Sequence, residues 1–90
     1  MGESKIKVPT KTKLVEFSWT PFGAGTINEK NVPHGISNFN NAVRSITVFS
    51  GHKQLLATVK TFGSINVVVQ LYQIGAITET VTGTILINYI

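Results

Sequence analysis

Apolar and polar residues alternate from Val15 through Phe17 to Trp19, with Glu16 and Ser18 between them, which is the two-residue period of a half-buried strand. Ser45–Phe49 and Gln54–Lys60 read as two more strands, joined by the Ser50-Gly51-His52 turn, and shorter ones are expected at Thr26–Lys30 and Ala76–Thr80. Ile65–Gln73 and Thr84–Ile90 differ from these in being apolar on both faces. Ile65, Val67, Val69 and Leu71 fall on one side and Val68 and Tyr72 on the other, while Ile85, Ile87 and Tyr89 are backed by Leu86 and Ile90. No segment carries a 3.6-residue apolar stripe over three turns, and residues 38–44 allow one helical turn. About seven or eight short strands at this spacing predict an all-β fold, a small antiparallel β-sandwich or a Greek-key or jelly-roll barrel.

Such a chain of 90 residues forms one domain, expected over residues 14–90 behind a flexible basic N-terminal arm, residues 1–13. A domain this small buries only about 60% of its unfolded surface, and without cysteine it has no disulfide or thiolate–metal staple. Packing or association must supply the rest. The net charge of +4 comes largely from the arm, where Lys5, Lys7, Lys11 and Lys13 supply four of the eight basic residues. That is not a patch interleaved with aromatics, so no nucleic-acid partner is expected. The polar N-terminus fits no secretory signal, and no apolar run approaches the roughly 20 residues of a membrane span. Synthesis in the cytoplasm is the expectation that follows; the final location is not readable.

Two stretches resemble the βγ-crystallin Greek-key family. Lys13–Gly25, KLVEFSWTPFGAG, is similar to its aromatic and glycine hairpin, with Phe17 and Phe22 at the aromatic places, Ala24 where glycine is expected and Gly25 one position late. Asn38–Val48, NFNNAVRSITV, is similar to the segment in which an acidic or amide pair precedes a Ser-Ser-hydrophobic strand. Phe62-Gly63 stands where a second hairpin would begin, so the resemblance spans residues 13–63. By position it implies calcium ligation at Asn40, Asn41 and Arg44. An arginine repels a dication that wants carboxylate oxygens, and the chain has no aspartate, so the resemblance implies a binding module with a weak or disabled calcium site.

The catalytic inventory is thin, with four glutamates, two histidines, no aspartate and no cysteine. His34 and His52 lie in turn sequences and read as surface residues, and their spacing from Glu29 favours no zinc site. No enzyme and no cofactor is expected. Trp19, Phe22 and Phe39 flank loops where they would stack on a carbohydrate, with Asn38, Asn40 and Asn41 for its hydroxyls; for Trp19 the shared strand face with Val15 and Phe17 favours the core. Self-association has more support. The windows INVVVQLYQI and TILINYI combine β-propensity with absence of charge and proline, and the chain ends inside an apolar strand. The expectation is a non-catalytic structural protein that forms a homo-oligomer, shell or filament through strand edges. Its interface candidates are Ile6, Val8, Val68, Tyr72, Leu86 and Ile90, with the arm as a linking strand.

Overall fold

A computed structural model describes residues 10–90, and among these the chain forms two antiparallel three-stranded sheets. The strands are β1 (Lys11–Trp19), β2 (Ile27–Pro33), β3 (Val43–Phe49), β4 (Leu55–Phe62), β5 (Asn66–Gln73) and β6 (Val81–Tyr89), with one helical turn, α1 (Phe39–Ala42), before β3. One sheet has the order β1-β6-β3 and the other β2-β5-β4. Six strands of seven to nine residues thus replace the larger number of shorter ones expected. The all-β class stands. Ala76–Thr80 is loop, and β1 begins at Lys11, so residues 11–13 belong to a strand paired with Ile87–Tyr89 and not to an arm.

The two segments with least charge become the two central strands. Alternation along β5 sends Val67, Val69, Leu71 and Gln73 inward, and along β6 it sends Val81, Gly83, Ile85 and Ile87 inward. Those apolar side chains form one core cluster with Phe17, Trp19, Val32, Leu55 and, from the connection before β3, Ile36 and Phe39. Ile65, expected on the inner face, instead lies outside β5 and is exposed at the β4–β5 turn. The pairing registers put residues 20–26, 50–54 and 74–80 at one end of the sandwich, and residues 34–42 and 63–65 at the other. The Thr20–Gly25 segment is therefore no hairpin. It carries the chain from one sheet to the other, and the β4–β5 turn is the only connection between adjacent strands of one sheet among the described residues.

Gln73 closes the first end from within. Its side chain, 1% exposed, donates to the Gly75 carbonyl at 2.9 Å and accepts the Phe22 N–H at 3.2 Å, so one buried amide holds two connections. Two glycines are required by space. At Gly83 a Cβ would enter the Phe17 ring, which packs over β6 where that side chain is missing. At Gly51, whose φ is 80°, a Cβ would meet the Thr82 carbonyl.

Gly83→Ala is expected to lower unfolding stability by about 1–3 kcal/mol through overpacking. Gly51→Ala is expected to cost at least as much, because the positive φ adds strain. Urea unfolding of the two variants with that of Gly23→Ala, where a Cβ meets nothing within 4 Å, checks both; equal losses at all three positions would contradict the packing account.

Candidate functional site

The inner faces are spent on the core, so function has to come from the outer faces, the edges or the ends. On the β2-β5-β4 sheet, Ile27, Tyr72 and Leu56 stand directly opposite one another across all three strands. They are 61%, 38% and 55% exposed. Ile74, also exposed, follows in the same alternation and is held by its N–H to the Gln54 carbonyl at 2.8 Å. The next row is polar, Glu29, Gln70 and Thr58, and the third is Asn31, Val68 and Thr61. An ion pair between Glu29 and Lys60 bridges the two flanking strands. The outer face of the other sheet is more mixed. Its end row is a polar ladder in which the Thr12 hydroxyl donates to Asn88 Oδ1 and the Asn88 amide donates to Ser45 Oγ, both at 2.9 Å, and Leu14 and Leu86 share the next row with Thr47.

The interface candidates do not converge on one surface. Val68 and Tyr72 lie on the outer face of β5, and Leu86 lies on the outer face of β6, in the opposite sheet. Ile90, just beyond β6, is half-buried and donates its N–H to the Ala42 carbonyl at 3.0 Å. Ile6 and Val8 lie outside the described residues. Sequence reasoning missed Ile27 and Leu56, the two neighbours that extend Tyr72 into a row. The adjacent Leu55-Leu56 pair held the signal, since a strand sends one of two consecutive residues outward.

Three of the four edge strands, all but β1, are blunted. β3 and β4 each carry a register irregularity, at Arg44 and at Lys60, so each bulge coincides with a basic residue; β2 ends in Pro33. Bulges, cations and proline on edge strands all obstruct pairing with another chain.

At the hairpin end, His34 is not the surface residue expected but is 2% exposed. The Ile36 N–H donates to Nδ1 at 3.0 Å, so Nε2 carries the proton and donates to the Gly63 carbonyl at 3.0 Å. Its ring stacks on Phe39 at 3.8 Å between centroids, and Phe62 meets Phe39 edge-on at 5.5 Å. Both nitrogens are therefore occupied, and the ring fastens the β4–β5 turn to the loop after β2. His52 belongs to the opposite end, half-buried, where its Nδ1 accepts the Gln54 N–H at 3.0 Å and its Nε2 lies 3.1 Å from the Glu79 carboxylate.

The stacking candidates separate in the same way. Trp19 and Phe39 are buried and lie at opposite ends, and Phe22, near Trp19, is the one of the three with an exposed ring. Asn40 and Asn41 are exposed on α1, where the Asn41 amide donates to Asn38 Oδ1 at 2.8 Å. The Arg44 guanidinium donates to the carbonyls of Asn41, Ala42 and Val43 at 3.1–3.4 Å. A cation already occupies the backbone oxygens a calcium ion would need, so these residues do not fit calcium. Among the described residues no three His, Cys, Asp or Glu side chains cluster to hold a metal.

Around the β4–β5 turn lie two adjoining depressions of about 360 and 390 Å³, sharing Ser64 and Ile65. One runs toward Pro33, Ile36 and Ser37, and the other onto the outer face at Asn31, Thr61 and Val68. No family model, curated protein or solved structure matches this chain.

His34→Phe is expected to keep a stacked ring while stranding the Ile36 N–H and the Gly63 carbonyl, at a cost of about 1–3 kcal/mol in urea unfolding; His34→Ala also loses the ring and should cost more. Equal losses would mean that the stacked ring contributes nothing beyond the hydrogen bonds. The Glu79 carboxyl is held below its ordinary value near 4.5, first by a backbone N–H, then by the Thr78 hydroxyl and then by His52. A depressed carboxyl stabilises the fold above its ordinary value and loses that contribution as pH falls through its lowered one. The stability gap between wild type and Glu79→Gln should therefore be small at neutral pH and close as pH drops below about 4.5; acid-limb unfolding curves that stay parallel would contradict this.

Proposed function

We propose that this protein is a non-catalytic structural module that self-associates, and that the outer face of the β2-β5-β4 sheet is where copies meet. The observation that carries this reading is the Ile27–Tyr72–Leu56 row, continued by Ile74, exposed across the full width of the sheet. Burying a side chain of this size stabilises an assembly by about 1.5–3 kcal/mol before the entropy of association is subtracted. A few such residues on each partner are enough to favour a specific contact.

The row also suits a second copy. A twofold contact brings a patch onto itself, and a patch without charge at its centre meets its copy without repulsion. Glu29 and Lys60, the nearest charged pair on that face, already neutralise each other. Bulged and basic edges argue for association through this face instead of through the strand edges expected from the sequence. The histidine chemistry fits a non-catalytic role: His34 uses both nitrogens to hold two loops, and His52 accepts the Gln54 N–H at Nδ1 and meets Glu79 at Nε2, so among the described residues neither imidazole is hydrogen-bonded to a hydroxyl.

Light scattering during size exclusion tests the reading. Wild type is expected as a discrete oligomer that persists in high salt, and Tyr72→Ser with Leu56→Ser is expected as a folded monomer. A monomeric wild type at millimolar concentration, or an oligomer that the double variant leaves intact, would overturn it.

A further inference from the structure

We propose that the groove around the β4–β5 turn is a binding site for a neutral carbohydrate, distinct from the apolar row at the other end of the same sheet. The two depressions meet at Ser64 and Ile65, and each is within the size range of small-molecule sites, about 300–1,000 Å³. Apart from His34, whose nitrogens are both taken, every lining side chain is uncharged. Asn31, Thr61, Ser64 and Asn66 bring two amides and two hydroxyls to the outer-face depression, and Ser37 brings a further hydroxyl to the other. These five side chains are exposed or half-buried, and none is engaged in a side-chain hydrogen bond among the described residues.

That combination selects a class of ligand. Amides and hydroxyls both donate and accept, as sugar hydroxyls do, and the outer-face depression has no charged lining side chain to select an anion or cation; the Lys13 ammonium stands beside Gly35, which lines the other depression. Ile65 and Val68 supply an apolar surface for the C–H face of a pyranose ring, and Phe62, opposite the inward Val67, borders the depression from the end of β4. Phe62 is 42% exposed and is held by its edge-on contact with Phe39, so its position is set before a ligand arrives. The ring and the amides belong to strand ends of one sheet, and the turn between them is fixed by the Gly63 N–H to the Asn66 carbonyl at 2.9 Å and by His34. Preorganisation of this kind lowers the entropy lost on binding.

The test is a proton–nitrogen NMR titration of the full chain with three neutral hexasaccharides, maltohexaose, cellohexaose and chitohexaose, and with a sulfated heparin hexasaccharide as the charged control. At least one neutral hexasaccharide at millimolar concentration is expected to shift the Asn31 and Asn66 side-chain amides and the backbone amides of Ser64 and Ile65. Asn66→Ala and Asn31→Ala, whose side chains alternate with the inward Val67 and Val32, should each weaken binding by about fivefold to tenfold while leaving the rest of the spectrum in place. Tyr72→Ser should leave the affinity unchanged, which separates this site from the assembly face. The proposal is overturned if none of the neutral sugars moves these signals, if only the sulfated sugar does, or if both asparagine variants bind as wild type does.

Discussion

Packing between the inner faces of β5 and β6 sets the terms for everything else in this molecule. The two strands lie in different sheets, so no ladder of hydrogen bonds joins them. Val67, Val69 and Leu71 on one side and Ile85 and Ile87 on the other belong to a single fully buried cluster, and dispersion and the removal of apolar area from water hold the layers together. A sandwich of two three-stranded sheets has only two inner faces to offer. Whatever apolar character the chain holds beyond them is left on the outside.

Polar side chains close the two ends that packing alone leaves open. Gln73 links the connections at one end and His34 those at the other, each buried to within 2% and each hydrogen-bonded twice. A buried amide or imidazole is costly unless both of its functions are met. Here that requirement works in the fold's favour, because a loop arrangement that breaks these bonds strands buried polar groups. Without disulfides, these two residues tie distant parts of the chain together at the two ends of the sandwich.

Much of this order was legible in the sequence because a strand writes its faces at every second residue. Phe17, Trp19, Val67, Val69, Leu71, Ile85 and Ile87 all point where the period of two puts them. Pairing partners were not legible. The turn-forming residues after Trp19 suit a hairpin and a crossover equally, and only the pairing of β1 with β6, more than sixty residues away, decides between them. His34 looked like a turn residue for the same reason, since its burial depends on Gly63 and Phe39 and not on its neighbours Pro33 and Gly35. The apolar row was hidden differently. Ile27, Leu56 and Tyr72 are unremarkable one at a time, and they become a surface only when register aligns three strands.

The outer face of the β2-β5-β4 sheet thereby acquires two chemistries along one short axis. Toward the crossover end it is aliphatic and aromatic, and toward the hairpin end it is amide and hydroxyl. The Glu29–Lys60 pair and Gln70 lie between them. A contact driven by area tolerates no unpaired polar group at its centre, and a polar groove gains nothing from an apolar neighbour that draws a second copy across it. The polar row keeps the two apart. With Lys60 also sitting at the bulge of an edge strand, one residue both obstructs edge pairing and marks the boundary between the two fields. This is why we propose two roles for the face and none for the bulged edges of β3 and β4.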